Sequence, residues 1–184
     1  MKKAVVFMAE GFEEMELTIS VDMLRRAGIE AKTASLGSDL AAVEGSRGIK
    51  MVPDMIIDQV DVEDLDLLVL PGGIDGTRNL GEDERVLKML RAAKAAGKKL
   101  AAICAAPLVL LKSGVTEGCT ITSHPAAKDH IIGVDYSEDR VVVDGNIITS
   151  RAAGTTFEFA LTIISELLGK DAATTANEGV LARD

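Results

Sequence analysis

The stretch that decides the fold is Leu100-Ala101-Ala102-Ile103-Cys104-Ala105-Ala106-Pro107. Its first residues form a short apolar run after the basic pair Lys98-Lys99, as a buried strand does. Pro107 and the apolar run 108–111 then read as a helix, because proline is favoured in a first turn where its missing N–H costs nothing. Strand, sharp turn and helix therefore follow one another, with Cys104 in the turn. At a helix N-terminus the free N–H groups and the dipole favour negative charge, so Cys104 is expected to be partly thiolate and nucleophilic. The small Ala105 and Ala106 leave room for a substrate. The same residues are also compatible with a buried structural cysteine, a common place for a free thiol.

Outward from this stretch the chain alternates. Strands are expected at 3–8, 30–36, 66–70, 100–104 and 119–122, with a hairpin of 140–143 and 146–149 turning across Asp144-Gly145. Helices are expected at 13–27, stopped by Gly28, at 84–96, stopped by Gly97, and from Pro107 to about residue 112. A capping box, Thr155-x-x-Glu158, opens another that Gly169 ends, and a last short helix follows from Lys170. Short extended pieces surround Gly45-Ser46-Arg47-Gly48, and Asp58, Asp61, Glu63 and Asp64 make a solvated acidic surface. In the first helix Leu17, Val21 and Leu24 form one apolar stripe and Met15, Ile19 and Met23 a second. One faces the sheet, and the other needs a neighbouring helix or a dimer partner. The alternation predicts an α/β fold, a mostly parallel sheet with helices on both faces, within one domain spanning 1–184.

Composition narrows the function. The 184 residues carry a net charge of −9, which argues against nucleic acid as the main partner because phosphate contacts need Lys and Arg. No apolar run is long enough to span a bilayer, and the one at the N-terminus is too short for a signal peptide. Cys104 and Cys119 form neither a disulfide framework nor a metal pattern, which suits a reducing cytoplasm. His124 and His130 lack the spacing and the glutamate of a helical zinc motif, and no glycine-rich phosphate loop is present. No cofactor is expected.

Ligands of such sheets bind beyond the carboxyl ends of the strands. Connectivity alone puts Glu13, Glu14 and Glu16, then Gly72 and Gly73, then Cys104, then His124 on that rim. A cysteine nucleophile needs a base and a cradle for its anion. His124 is one candidate base, and Glu16 or a neighbouring glutamate is another. Glu16, kept protonated by an apolar pocket, can donate to the thiolate and shuttle a proton. The N–H groups of Gly73 and Ala105 are candidates for an oxyanion hole, with Gly72 and Gly73 shaping the turn. The plainer readings are a dipole role for the glutamates, a simple turn at Pro71-Gly72-Gly73 and a surface or cap role for His124.

Several segments together resemble the ThiJ/PfpI superfamily, and most closely its Parkinsonism-associated deglycase branch. They are Glu13-Glu14-Met15-Glu16, the helix segment 21–29, Ser46-Arg47-Gly48, Val69-Leu70-Pro71-Gly72-Gly73, Ala101-Ala102-Ile103-Cys104-Ala105-Ala106-Pro107, His124-Pro125-Ala126-Ala127-Lys128-Asp129, Thr149-Ser150-Arg151, Gly154-Thr155 and Phe157-Glu158-Phe159-Ala160. The resemblance implies a flavodoxin-like three-layer sandwich, a homodimer, and Cys104 as an oxidation-prone nucleophile on a strained elbow. It also implies Glu16 as the protonated partner, His124 nearby, and Gly72, Gly73 and Ala105 around the anion pocket. The activities it implies are cofactor-free conversion of reactive dicarbonyls or early glycation adducts, or a redox sensor and chaperone role. The peptidase branch has histidine directly after the nucleophile, where this chain has Ala105. The close branch often has cysteine where this chain has Gly45, and a Gly-Pro-Gly-Thr loop reads Ala152-Ala153-Gly154-Thr155, so the outer wall of the pocket is expected to differ.

Overall fold

The computed structural model describes residues 1–182. The chain runs through β1 (Lys3–Met8), α1 (Glu14–Arg26), β2 (Glu30–Ser35), β3 (Val43–Glu44), β4 (Lys50–Met51), β5 (Met55–Ile56) and β6 (Leu67–Leu70). It continues through α2 (Ile74–Glu82), α3 (Glu84–Ala95), β7 (Lys99–Ile103), α4 (Pro107–Ser113), β8 (Thr120–Ile121) and β9 (Asp135–Tyr136). The hairpin β10 (Val141–Asp144) and β11 (Ile147–Ser150) precedes α5 (Thr156–Leu168) and α6 (Lys170–Glu178). The main sheet has the order β10-β11-β7-β6-β1-β2-β5, and every pairing in it is parallel except β10 with β11. This is the flavodoxin-like α/β architecture.

Strand periodicity divides the interior in two. Ala4, Val6 and Met8 of β1, Leu67 and Val69 of β6, and Ala101 and Ile103 of β7 face α1 and α5, where Leu17, Leu24, Phe159 and Ile163 pack. Their neighbours Val5, Phe7, Leu68, Leu70, Leu100 and Ala102 face α3 and α4, against Val86, Leu90, Val109 and Leu110. Burial on both faces is why these central strands are nearly continuous apolar runs. The chain leaves β1 toward β2 on one side, while β6 and β7 lie on the other. The crevice at the carboxyl ends of β1 and β6 is therefore a topological switch point.

Several elements differ from the sequence expectation. Helix α2 was not anticipated, since it carries two glycines and Leu80 is its one large buried apolar residue. A Cβ on Gly76 would lie 2.8 Å from the Phe12 Cα, so packing demands glycine there whatever its helix propensity. The capping box does not form. Thr155 makes no cap bond to α5, its hydroxyl being engaged with Ser150 and Ala152, and Glu158 pairs with Arg140 at 2.6 Å. The hairpin pairs Asp144 with Ile147, which makes Gly145-Asn146 the turn, with Gly145 at φ 59°. Asp144 instead accepts from the Thr120 N–H at 2.8 Å, tying the hairpin to β8. Of the second stripe on α1, Met23 is fully buried with the α5 residues while Met15 stays exposed.

Candidate active site

Cys104 follows the last residue of β7 and sits at φ 65°, in the left-handed region that a non-glycine residue occupies only when its surroundings impose it. Two bonds impose it here. The Cys104 N–H donates to the Ser150 carbonyl at 3.0 Å, one rung past the β7–β11 ladder, and the Cys104 carbonyl accepts from the His124 N–H at 2.8 Å. Pro107 then opens α4 in its first turn. The elbow expected from the sequence is thus a specific backbone conformation clamped from two neighbouring elements.

Glu16 lies in the first turn of α1. Glu13 is the cap of that helix, and its Oε2 accepts from the Glu16 N–H at 2.7 Å. The Glu16 side chain is fully buried. Its Oε2 accepts from the Gly72 N–H at 2.7 Å, whereas Oε1 has no nitrogen or oxygen partner. Burial raises the Glu16 carboxyl to about 7, the nearby Glu13 pushes the same way, and the Gly72 N–H and the Cys104 thiol oppose them. Gly72 is required by this contact, because a Cβ there would lie 2.6 Å from the Cys104 Cβ and 2.7 Å from Glu16 Oε2. Gly73, at φ 91°, would clash with the Gly11 carbonyl if it carried a side chain. Both glycines therefore let three loops meet at the sulfur.

Burial pushes the Cys104 thiol up, as does an ionised Glu16 beside it, to about 12, while the N–H groups of Ala105 and Gly73 pull it down. The depressed thiol expected from the helix N-terminus is thus absent, because burial of the sulfur outweighs the turn's N–H groups. The influence of Glu16 depends on its own proton. A protonated Glu16 carries no charge and donates toward the sulfur, so both of its opposing effects disappear and the second reverses. The protonation of each group therefore depends on that of the other, while the upward push of burial on the thiol remains in either state. In the state with the proton on Glu16, the thiolate faces the Gly73 and Ala105 N–H groups.

His124 is brought to the rim but not into that pair. It caps the 3-10 turn Pro125–His130, its Nδ1 accepts from the Ala126 N–H at 3.2 Å, and it is half-buried in the cavity wall. The cavity, of about 860 Å³, opens over Cys104 and Ala105 and is walled by Arg47, Ile74, Leu108 and His124. No residue of 152–155 lines it, so the altered loop noted in the sequence does not form the wall of this cavity. Glu14, a neighbouring glutamate on the rim and so a candidate base, is instead committed to a loop. Glu14 is buried, accepts from the Ser46 hydroxyl at 3.1 Å and from the N–H groups of Arg47 at 2.5 Å and Ile49 at 3.4 Å, and so fixes the loop between β3 and β4. Burial would raise its carboxyl, but these donors outweigh burial and hold it below its ordinary value. A Cβ at Gly45 would lie 2.5 Å from the Glu14 carboxyl, so glycine at 45 belongs to this arrangement. Among the described residues no three His, Cys, Asp or Glu side chains converge as metal ligands.

A cysteine on a left-handed strand-to-helix elbow, with a buried carboxyl against it at the switch point of a flavodoxin-like sheet, defines a class of cysteine-centred α/β proteins. Within that class the chain belongs to the DJ-1/PfpI family, whose profile matches residues 2–166. It is 44% identical over 182 residues to Protein dj-1beta of Drosophila melanogaster, covering 98% of this chain and 97% of that protein. The crystal structure of Drosophila melanogaster DJ-1beta superposes with a TM-score of 0.95 over 100% of this chain and 99% of that one. Toxoplasma gondii DJ-1, solved in an oxidized form, is 34% identical and superposes at 0.96 over the full length of both chains. The glutathione-independent glyoxalase DJR-1.2 of Caenorhabditis elegans is 34% identical over 173 residues, covering 92% of this chain and 91% of that protein.

Proposed function

We propose that this protein is a cofactor-independent enzyme that uses Cys104 to convert reactive dicarbonyls, or the early adducts they form with amines, into hydroxy acids. The observation that carries the reading is Cys104 on its left-handed elbow in the wall of an open cavity, with the buried Glu16 carboxyl, raised to about 7, beside it. In the reaction, the Cys104 thiolate attacks the aldehyde carbon of a 2-oxoaldehyde. The carbon–oxygen π bond breaks, the oxyanion develops toward the Gly73 and Ala105 N–H groups, and Glu16 protonates it to give a hemithioacetal. Glu16, now a carboxylate, removes the proton from the former aldehyde carbon to leave an enediol and returns it to the neighbouring carbon, while the hemithioacetal hydroxyl proton passes to the oxygen of that neighbouring carbon. The product of that transfer is a thioester, which water cleaves to the hydroxy acid and free thiol. The oxidation of one carbon is balanced by reduction of the other, so no redox cofactor enters. The family relationship to a glutathione-independent glyoxalase supports this chemistry. Methylglyoxal in glutathione-free buffer is expected to yield lactate, followed by proton NMR. Unchanged methylglyoxal at micromolar protein would end the reading.

A second reading is favoured by the same N–H cradle, which suits an oxygenated sulfur as well as a thiolate. Two equivalents of peroxide convert the Cys104 thiolate to sulfinate with release of two waters, and Glu16 donates to the sulfinate, which would make the protein a redox sensor or chaperone. The oxidized Toxoplasma relative supports it. A peptidase reading has less support, because the His124 Nδ1 is engaged with the Ala126 N–H and Ala105 follows the cysteine.

The assembly we propose is a homodimer. Met15 of α1 and Ile49 and Val52 of the adjoining hairpin are more than half exposed. The Thr18 hydroxyl lies 3.7 Å from the Met51 sulfur, which joins the two elements into one face. Sedimentation velocity is expected to show a dimer that Val52→Asp converts to monomer. An unchanged sedimentation coefficient in the variant would move the interface elsewhere. A reducing, cytoplasmic setting suits a reactive free thiol.

A further inference from the structure

The left-handed conformation of Cys104 is strained and persists only where the surroundings over-determine it. One of its two clamps is the Ser150 carbonyl. Ser150 is the last residue of β11, paired with Val141 and Ile103, and beyond it the chain leaves the sheet. On that open side a pair of buried hydroxyls holds the strand end. Ser150 Oγ donates to the Arg140 carbonyl at 2.7 Å and lies 2.7 Å from Thr155 Oγ1. Since the Ser150 proton goes to Arg140, Thr155 Oγ1 is the donor to Ser150 Oγ; it accepts from the Ala152 N–H at 3.1 Å, while the Ala152 carbonyl accepts from the Thr155 N–H at 2.7 Å. Ser150 is fully buried and Thr155 nearly so. Thr155 thus links residues 150–155 by a relay from the Ala152 N–H through both hydroxyls to the Arg140 carbonyl, beside the Ser150 carbonyl that faces the site.

We infer that Thr155 is a positioning residue for Cys104: through Ser150 its hydroxyl holds the carbonyl that clamps the Cys104 N–H, and so keeps the sulfur against the Gly73 and Ala105 N–H groups. Without the hydroxyl, Ser150 Oγ and the Ala152 N–H lose a buried partner and the strand end relaxes. The Cys104 peptide then turns away from its left-handed setting and the thiolate loses donors. The inference rests on the proposed role of Cys104, but its first readout does not depend on turnover.

The test is alkylation of Cys104 by iodoacetamide as a function of pH, in a Cys119→Ser background, with the modified site identified by peptide mass. Thr155→Val is nearly isosteric and removes only the hydroxyl. It is expected to raise the midpoint of alkylation by about one pH unit, losing roughly tenfold in rate at neutral pH. With methylglyoxal, kcat is expected to fall about tenfold with KM changed less than about twofold, because the loss is of sulfur positioning and not of substrate contacts. Thr155→Ser restores the hydroxyl and should recover both. An unshifted midpoint in Thr155→Val overturns the inference, even if its melting temperature falls. Should that variant not fold, Ser150→Ala keeps the clamping carbonyl and removes the other hydroxyl, and an unshifted midpoint there is equally decisive. If the wild type makes no lactate the proposed enzyme fails, while the alkylation comparison still decides the role of Thr155.

Discussion

Cys104→Ser is expected to lose lactate production from methylglyoxal by at least about a thousandfold, with the fold intact. The two side chains differ by one atom, and the backbone clamps on residue 104 are made by its N–H and carbonyl, so the elbow survives the change. The chemistry does not survive it. Glu16, raised to about 7, can exchange a proton with a thiol but is far too weak a base to ionise an alcohol. The serine would therefore stay protonated against the Gly73 and Ala105 N–H groups, and the first carbon–heteroatom bond would not form. Cys119→Ser is the internal control. Cys119 is buried against the core on the α3–α4 side, its sulfur lies 3.8 Å from the Glu117 carbonyl, and it does not line the cavity. That variant is expected to keep its turnover. Full activity in Cys104→Ser, measured as initial rates on samples with matched circular dichroism, would remove the cysteine from the mechanism.

The residues that were legible in the sequence are those whose signal is local. The run ending at Ile103 and the proline at 107 mark strand, turn and helix without help from the rest of the chain, and connectivity then carries Glu16, Gly72 and Gly73 to the same rim; His124 follows β8, which pairs with β9 outside the main sheet, and reaches the rim through its N–H bond to the Cys104 carbonyl. What was not legible depends on contacts across the fold. Nothing near Glu16 in the chain announces that its carboxyl meets the Gly72 N–H, 56 residues away, and is fully buried. Burial at that contact raises the carboxyl of a glutamate otherwise suited to a helix dipole. The helix at Ile74–Glu82 was hidden for the same reason: Gly76 reads as a helix breaker and is there because Phe12 approaches it. Thr155 and Glu158 had the spacing of a capping box, and tertiary partners took both side chains. In each case the local pattern was present and a distant atom decided its use.

Glu16→Gln separates the catalytic and the structural consequences of burying that carboxyl. The amide keeps the shape and can accept from the Gly72 N–H, but it cannot take a proton from carbon, so turnover is expected to fall by roughly 10²–10⁴-fold. Stability should change in the opposite direction. The Glu16 carboxyl has its folded value raised from an ordinary 4.5 to about 7, so between those values the folded state binds more protons than the unfolded chain. Its contribution is therefore fully present below pH 4.5 and is lost as pH rises through 7. Two and a half units correspond to about 3 kcal/mol as an upper figure. The carboxyls of Glu14, Asp54, Asp66 and Asp83 are held below their ordinary values, so their contributions are lost on acidification, below the window that Glu16 governs. Subtracting the Glu16→Gln curve from the wild-type curve cancels them. Urea unfolding at several pH values between 5 and 8 should show the wild type losing stability relative to Glu16→Gln across that range, with the difference levelling off above 7. Parallel curves would mean that Glu16 is ionised throughout, and a glutamate ionised at pH 5 could neither donate to the Cys104 sulfur nor carry the proton that the reaction moves.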